Sequence, residues 1–420
     1  MKKIPLAWLQ LSREKMRLFV ALAGIGFADI LMFMQLGFRD ALFDSAVTLH
    51  KELQGDIFII SPQSTATIAM KSFPRRRLYQ ALGFEGVKSI APVYMGFALW
   101  RNPERLRTRP NYSKILAGRE NNCIIPASQE SPDPQQSATS DGCGTRSIMV
   151  LGFNPSDSIL DVPEVTSNLN KIKIPDVVLF DDASRPEFGP IAQEFKQGKD
   201  VTTEAEGRRL KVAGLFTLGA SFGADGNIVT SDLNFLRLFP RRDAGMIDIG
   251  IIKLQAGADL KVVLKNLKQG LSDDVRVLSK EEFINFEKNY WQTSTAIGFI
   301  FALGTGMGFI VGTVIVYQIL YTDVTDHLPE YATLKAMGYK NSYLLLVVFQ
   351  EAIILAILGY FPGLSLALAL YNLTKGATNL PMVMSLGRAV MVLILTIIMC
   401  CISGAIAVRK LQAADPADIF

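Results

Sequence analysis

Hydrophobic residues gather in four long blocks, 18–38, 295–320, 344–370 and 389–408, while residues 39–294 have ordinary polar content. Each block holds the roughly 20 mostly apolar residues that a helix needs to cross a bilayer, so the pattern predicts four transmembrane helices in 1+3 order. The first block does not stop at the membrane edge. Ala41, Leu42, Ala46, Leu49 and Leu53 keep helical spacing as far as Gly55, which predicts one helix over 18–54, about 55 Å long at 1.5 Å per residue. Ser279 and Glu282 form the S-x-x-E pattern that starts helices, and no proline follows before Leu320. One helix over 280–320, about 60 Å long, is expected there.

These two helices are expected to carry the region 55–279 on a stalk, the alternative being a break in each at the membrane surface. Within that region, runs 56–61, 87–100, 147–153, 176–180, 210–218 and 247–254 read as strands and 258–271 as a helix. The expected fold is therefore a membrane protein with four transmembrane α-helices and a large, two-lobed α+β extracytoplasmic domain. Residues 102–145, with prolines at 103, 110, 126, 132 and 134, read as an irregular surface insertion. Residues 1–17 read as an amphipathic helix on the inner membrane surface, with Leu6, Trp8, Leu9 and Met16 toward lipid.

Charge gives the orientation. Lys2, Lys3, Arg13, Lys15 and Arg17 precede the first block, and an excess of Lys and Arg marks the cytoplasmic side. The N-terminus, the loop 321–343 and the tail 409–420 are then cytoplasmic, and 55–279 and the short loop 371–388 lie outside. Lys375 and Arg388 are the exceptions, both being basic on the outer side. The first block is too long for the core of a cleaved signal peptide and no A-x-A site closes it, so a retained anchor is expected. A formal net charge of +4 over 420 residues, without a basic stripe, argues against a nucleic-acid partner.

The search for catalytic chemistry returns little. His50 and His327 are the two histidines, expected on opposite sides of the membrane, which argues against a histidine-rich metal site or a Ser-His-Asp triad. Residues 214–221 read G-x-x-x-x-G-A-S, spaced like a phosphate loop but without its lysine, and are expected to be a strand end and turn. No cofactor or metal is expected in this chain. Of the four cysteines, Cys400 and Cys401 sit inside the last block. Cys123 and Cys143 fall in the insertion, where an oxidising compartment would permit a disulfide worth roughly 3 kcal/mol. Two free thiols in a loop are the alternative.

Small and polar residues interrupt the apolar blocks. Gly304, Gly308 and Gly312 share one helix face, and such faces let helices approach closely in lipid. Gly24 and Ala28 offer a shorter match. Packing between the first and second helices, or between two copies of the chain, are both open. Asp29 lies mid-block, where a charge costs about 2.5–3.5 kcal/mol on insertion scales. It is read either as a gate or helix-contact residue, or as a protonated or snorkelling one. Glu351 raises the same question.

The loop between the second and third blocks is the most informative short segment. Thr325 or Asp326 can cap a helix, Pro329 suits its first turn, and Leu328, Tyr331, Leu334 and Met337 recur every third residue before Gly338. Such a short amphipathic helix suits a groove on another protein, or the membrane surface. The run Pro329-Glu330-Tyr331-Ala332-Thr333-Leu334-Lys335-Ala336-Met337-Gly338 resembles the E-I-A-x-L-R-A-L-G element of the MacB/FtsX/LolC-type permeases. The 1+3 order, Gly55-Asp56-Ile57-Phe58-Ile59 (similar to G-A-D-L-x-V) and Asp415-Pro416-Ala417-Asp418 (similar to x-P-A-E-A-L) extend the resemblance over essentially the whole chain. Its length and its opening P-L-A-W-L-Q-L resemble the DevC-type permeases, which lack a fused ATPase. Tyr331, Ala332 and Lys335 depart from the usual pattern.

The resemblance implies a coupling role for Asp326, Leu328, Glu330, Tyr331, Leu334, Lys335, Met337 and Gly338. It implies a homodimer in the inner membrane, served by a separate ABC ATPase that carries the ATP and magnesium. A periplasmic membrane-fusion adaptor, a TolC-like outer-membrane channel and a glycolipid or other amphiphile as cargo complete the expectation. A lipoprotein-releasing permease of the same superfamily is the alternative. An FtsX-like regulator of outer hydrolases is another, although its outer domain is usually much smaller.

Overall fold

In the computed structural model, residues 15–103, 145–330, 333, 337, 341–378, 380 and 382–413 are described. The chain divides into two compact units: a sheet unit, Phe43–Trp291, and a helical unit made of Met1–Leu42 and Gln292–Phe420. One long apolar helix precedes the sheet unit and three follow it. The fold is thus a four-helix membrane-type unit in 1+3 order with a large mixed α/β unit inserted after the first helix.

Among the described residues, the strands of the sheet unit are β1 (Ile57–Ile60), β2 (Phe73–Pro74), β3 (Val87–Arg101), β4 (Thr145–Phe153), β5 (Val177–Asp181), β6 (Thr202–Ala205), β7 (Arg208–Phe216), β8 (Asn227–Ser231), β9 (Met246–Ile247), β10 (Ile249–Leu254) and β11 (Arg276–Ser279). Nine of them form one sheet in the order β11-β1-β10-β3-β4-β8-β5-β7-β6, and β6 pairs again with the end of β3 at Trp100–Ala205 and Arg101–Glu204. Six strands therefore close into a ring, and β10, β1 and β11 extend it from β3. Only β4–β8 and β5–β7 run parallel among the described pairs.

Side chains alternate across a strand, and β1 shows the consequence. Ile57 and Ile59 enter one apolar cluster while Phe58 and Ile60 enter the other, on the opposite face. A strand covered on both faces has no polar positions to offer, which is why this stretch reads Ile-Phe-Ile-Ile. Helix Lys280–Asn289 begins with the full capping box: Ser279 Oγ accepts from Glu282 N at 3.1 Å, and Glu282 Oε2 accepts from Ser279 N at 2.8 Å.

The two stalk helices expected from the sequence are not continuous. The first runs Lys15–Ala46, stops at Val47 (φ −104°, ψ 7°) and resumes over Thr48–Glu52. Thr48 Oγ1 donates back to Asp44 O at 3.2 Å, a side-chain bond that competes with the helix ladder. The second runs Lys280–Asn289, passes through a wide turn at Tyr290–Ser294, and breaks at Thr295 (φ −120°, ψ 155°), whose Oγ1 caps a new helix, Ala296–Asp326. The local sequence Thr293-Ser294-Thr295 explains the break, because hydroxyl residues favour caps over helix interiors.

In the helical unit, the third long helix is Asn341–Thr378 with Pro362 inside it, and the fourth is Leu386–Ala413. Ala21, Ala28, Leu320, Ala352, Met399 and Ala407 come from all four helices and share one buried cluster. The outward side of the second helix is strongly apolar: Phe299, Leu303, Met307, Ile310 and Val314 are all more than half exposed. A face of this size is stable only in apolar surroundings, which a bilayer supplies.

Candidate functional site: polar clusters and close contacts in the helical unit

The sheet unit holds buried polar groups that are consumed by its own fold. Glu287, 1% exposed, accepts from Thr67 N and Thr67 Oγ1, both at 2.7 Å, and from Trp291 Nε1 at 2.9 Å. His50 Nε2 lies 3.3 Å from Thr67 Oγ1 and 3.7 Å from Glu287 Oε2. Desolvation pushes the Glu287 carboxyl up and drives the His50 imidazole down to about 3. The network ties Thr48–Glu52 to Lys280–Asn289.

The G-x-x-x-x-G-A-S stretch is likewise explained by an internal anion. Asp181, at the end of β5, accepts from Ala183 N (3.1 Å), Leu218 N (3.0 Å), Gly219 N (2.9 Å) and Asn227 Nδ2 (2.7 Å). The backbone N–H groups of Leu218 and Gly219, which a phosphate would need, are already bound to this carboxylate. Among the described residues there is no cluster of three or more His, Cys, Asp or Glu side chains that could hold a metal.

The glycines of the second helix face the first helix of the same chain. A methyl group on Gly308 would lie 3.3 Å from Met32 and 3.4 Å from Leu31, and one on Gly304 would lie 2.6 Å from the Gln35 side chain. One on Gly312 would lie 2.7 Å from Ala28 Cβ and would strike Met399 Sδ, while one on Gly24 would lie 2.5 Å from Ile315. Gly306 faces open space. The third helix makes a comparable approach that the sequence reading missed. A methyl on Gly359 would lie 2.6 Å from Ile25, and one on Gly363 would lie 2.8 Å from Asp29 Cβ. Their four-residue spacing carries the signal, but Pro362 between them obscures it.

Asp29 is fully buried beside Thr396 of the fourth helix, whose Oγ1 is hydrogen-bonded both to Asp29 Oδ1 and to Val392 O. The residue is therefore a contact between helices rather than a group reaching for the surface.

Two polar clusters mark the ends of the helices. At one end Arg388 (fourth helix) reaches Asp40 (first helix) at 2.7 Å and Tyr371 Oη (third helix) at 3.3 Å, and Tyr371 Oη donates to Phe33 O. At the other end Arg17 pairs with Asp323 at 3.3 Å and with Asp326. Glu351 is fully buried on the third helix.

The second helix overruns the expected limit at Leu320 and ends at Asp326, where His327 is its C-cap; His327 N and Nδ1 both lie on Asp323 O, at 3.1 and 2.9 Å. Residues 328–330 turn into a new helical segment, with Leu328 half-buried and Glu330 exposed. Thr333 Oγ1 donates to Pro329 O at 2.8 Å, Met337 N donates to Thr333 O at 3.0 Å, and Met337 is 64% exposed. Tyr331, Leu334, Lys335 and Gly338 lie outside the described residues, as do Cys123 and Cys143. Cys400 is a free buried thiol and Cys401 a free half-buried one.

Comparison with known proteins finds a family similar to part of this unit. Residues 302–416 match the family described as FtsX-like permease C-terminal. The matched residues begin within the second long helix, run through the third and fourth, and include the segment 326–338. Among solved structures, the chain is similar to the periplasmic region of MacB from Actinobacillus actinomycetemcomitans, with a TM-score of 0.33 and 10% identity over 57% of this chain and 94% of that one. It is also similar to the extracellular domain of the noncanonic ABC-type transporter YknZ from Gram-positive bacteria, with a TM-score of 0.29 and 11% identity over 54% of this chain and 100% of that one. The comparison with curated proteins found no match.

Proposed function

We propose that this chain is the permease subunit of an ATP-driven ABC exporter, of the DevC type within the MacB/FtsX/LolC-like superfamily. It sits in the inner membrane as a homodimer with both termini cytoplasmic and the sheet unit in the periplasm. It hydrolyses nothing itself: a separate ABC ATPase binds ATP and magnesium, and docks on the segment 326–338. Motion received there passes through the long helices to the sheet unit. That unit works with a membrane-fusion adaptor and a TolC-like outer-membrane channel to expel a glycolipid or other amphiphile.

The observation that supports this reading most is the family match over residues 302–416, which contains the segment 326–338. The form of that segment agrees with a docking role, since Glu330 and Met337 are presented to solvent directly after the second long helix. Apart from isolated polar groups such as Asp29 and Thr396, the buried cluster shared by the four helices is apolar, which favours capture of cargo on the outer side over passage between the helices. Affinity purification of the tagged chain from native membranes tests the whole assignment. An ABC ATPase and an adaptor should co-purify; recovery of the chain alone, under conditions that preserve membrane complexes, would reject it.

A further inference from the structure

At one end of the helical unit two arginines share one carboxylate. Arg39 directly follows the apolar run 18–38, and Arg388 directly precedes the run 389–408. Both therefore stand where the hydrocarbon of a bilayer gives way to its headgroups. Asp40 lies between them. Arg388 Nη2 and Nε reach Asp40 Oδ2 at 2.7 and 3.2 Å, and Arg39 Nη2 and Nε reach Oδ1 at 2.9 and 3.0 Å. Arg388 is sealed, whereas 33% of the Arg39 side chain stays exposed. Lys375 lies one turn beyond Tyr371, whose hydroxyl also meets Arg388; it is exposed and makes no ion pair among the described residues. Segments 36–42 and 371–388 thus hold three basic residues, Arg39, Lys375 and Arg388, against the one acid Asp40.

Asp40 can neutralise one guanidinium but not both. Arg388 takes the sealed side of it, so the surplus charge falls on Arg39 and Lys375, which keep N–H groups to spare at headgroup level. Like charges held close at the edge of a low-dielectric layer repel, and an anion would relieve them. A guanidinium is shaped to take two oxygens of a phosphate. The surroundings favour a lipid as the bearer of that phosphate. Val383, whose carbonyl accepts from Arg388 Nη1 at 2.9 Å, is 65% exposed, and Leu386 is 82% exposed. From Leu386 an exposed apolar row continues down one face of the fourth helix through Val390, Ile394 and Ile398, at four-residue steps. Surplus cations at the head of an apolar row match an acyl chain that ends in a negative headgroup. We propose that Arg39 and Lys375, with Arg388 and Asp40 as their frame, bind the headgroup of an anionic phospholipid whose acyl chains lie along the row that starts at Leu386. The site depends neither on an ATPase nor on the direction in which this end of the helices points.

Binding of radiolabelled dioleoyl phosphatidylglycerol to the tagged full-length chain, delipidated and held on resin in detergent, tests the site. Dioleoyl phosphatidylcholine, which carries no net charge, is the comparison. The anionic lipid should bind about 25-fold more tightly, from two basic residues at about fivefold each. Arg39→Gln and Lys375→Gln should each weaken phosphatidylglycerol binding about fivefold, and the double variant should hold the two lipids equally. Both positions are at least partly exposed, so the variants should unfold at the wild-type midpoint. Arg39→Lys and Lys375→Arg keep the charge and should keep the preference. Lys15→Gln, at the opposite end of the first helix, should leave it unchanged. Equal binding of the two lipids by the wild-type chain, or an intact preference in the double variant, would overturn the proposal. So would an equal fall in Lys15→Gln, since charge at either end would then suffice. Inorganic phosphate, compared with chloride at the same ionic strength, should not displace the lipid. Displacement by phosphate would mean that the site takes a free anion, and would overturn the assignment to a lipid.

Discussion

Arg388 Nη2 lies 2.7 Å from Asp40 Oδ2, joining the start of the fourth long helix to the first. The Arg388 side chain is only 6% exposed, and it also donates to Val383 O at 2.9 Å and Tyr371 Oη at 3.3 Å. The pairing removes an inconsistency in the charge pattern. Arg388 read as a basic residue on the outer side, against the expected bias. Bound to Asp40 it is neutralised inside the protein and leaves Lys375 as the remaining exception.

Breaking this pair from the arginine side should be costly. Arg388→Met leaves Asp40 with Arg39, 2.9 Å away, as its one remaining cation and Tyr371 without a donor. The expected loss is about 1–3 kcal/mol, below the usual cost for a sealed pair because the Asp40 side chain is one-third exposed. The double variant Arg388→Met with Asp40→Leu should recover much of it. Thermal unfolding in detergent would show the recovery, and a double variant no better than the single would contradict the pairing account.

Asp29 leads to a different expectation. Thr396 Oγ1 contacts both Asp29 Oδ1 and Val392 O. A hydroxyl carries one proton, and the carbonyl has none to give. Asparagine at position 29 can supply the second proton and should be tolerated, with a change in stability under about 1 kcal/mol. Leucine should cost more, since it leaves Thr396 short of a partner and crowds Gly363. If Asp29→Asn abolished transport while the chain remained folded, a charge at this position would be required and the contact role would be insufficient.

The glycines allow a comparison within one helix. Gly306 faces open space and Gly312 faces Ala28 and Met399. Gly306→Ala should be neutral or stabilising by up to about 1 kcal/mol, from helix propensity alone. Gly312→Ala must displace Met399 and push against Ala28, and should destabilise by about 1–3 kcal/mol. Equal midpoints for the two variants would mean that the first and second helices do not pack as described. If Gly306→Ala instead weakened self-association, that face would be an interface between copies.

Burial of His50 makes the sheet unit sensitive to acid. The folded imidazole titrates near 3 against 6.5 for the free group, so between these values the unfolded chain binds the extra proton and stability falls as pH drops. At pH 5 the loss is about 2 kcal/mol. Glu287 acts in the opposite sense. Its folded carboxyl titrates above the ordinary value, so lowering the pH relieves the cost of a buried charge and returns part of the loss. His50→Asn should therefore flatten the fall in unfolding midpoint between pH 7 and pH 5. An unchanged slope in that variant would place the acid sensitivity elsewhere.

How much of this was legible depends on what each element buries. The four long helices were plain because a bilayer demands long apolar runs, and strands such as β1 because both faces are covered. Strand β8, Asn-Ile-Val-Thr-Ser, was not. Its buried polar side chains look like a loop until their partners are known: Thr230 Oγ1 donates to Val177 O at 2.8 Å, and Asn227 Nδ2 to Asp181 and to Gly219 O. The breaks at Val47 and Thr295 were obscured for the same reason, since a threonine that caps or back-bonds is read as an ordinary helix residue. The glycine face at 304–312 was visible by spacing, but its partner was not. Arg17 was noticed as a charge before the first helix, while its pairing with Asp323 joins positions 306 residues apart, beyond any local pattern.

Glu330 offers the most direct test of coupling. It is exposed on the turn that follows His327, so replacing it should not disturb the helical unit. Glu330→Ala should leave the unfolding midpoint within about 0.5 kcal/mol of wild type, as is usual for an exposed position. If the segment docks on an ATPase, the same change removes a charged contact at that interface. Transport should fall about 10-fold, a loss of roughly 1.4 kcal/mol of coupling, while the subunits still co-purify. Transport measured in vesicles at matched protein levels, with ATP hydrolysis followed in parallel, would separate the outcomes. Hydrolysis that continues while transport falls would mean that the motor turns without moving its load. Full transport in Glu330→Ala, and again in Gly338→Leu, would remove the segment from the coupling path.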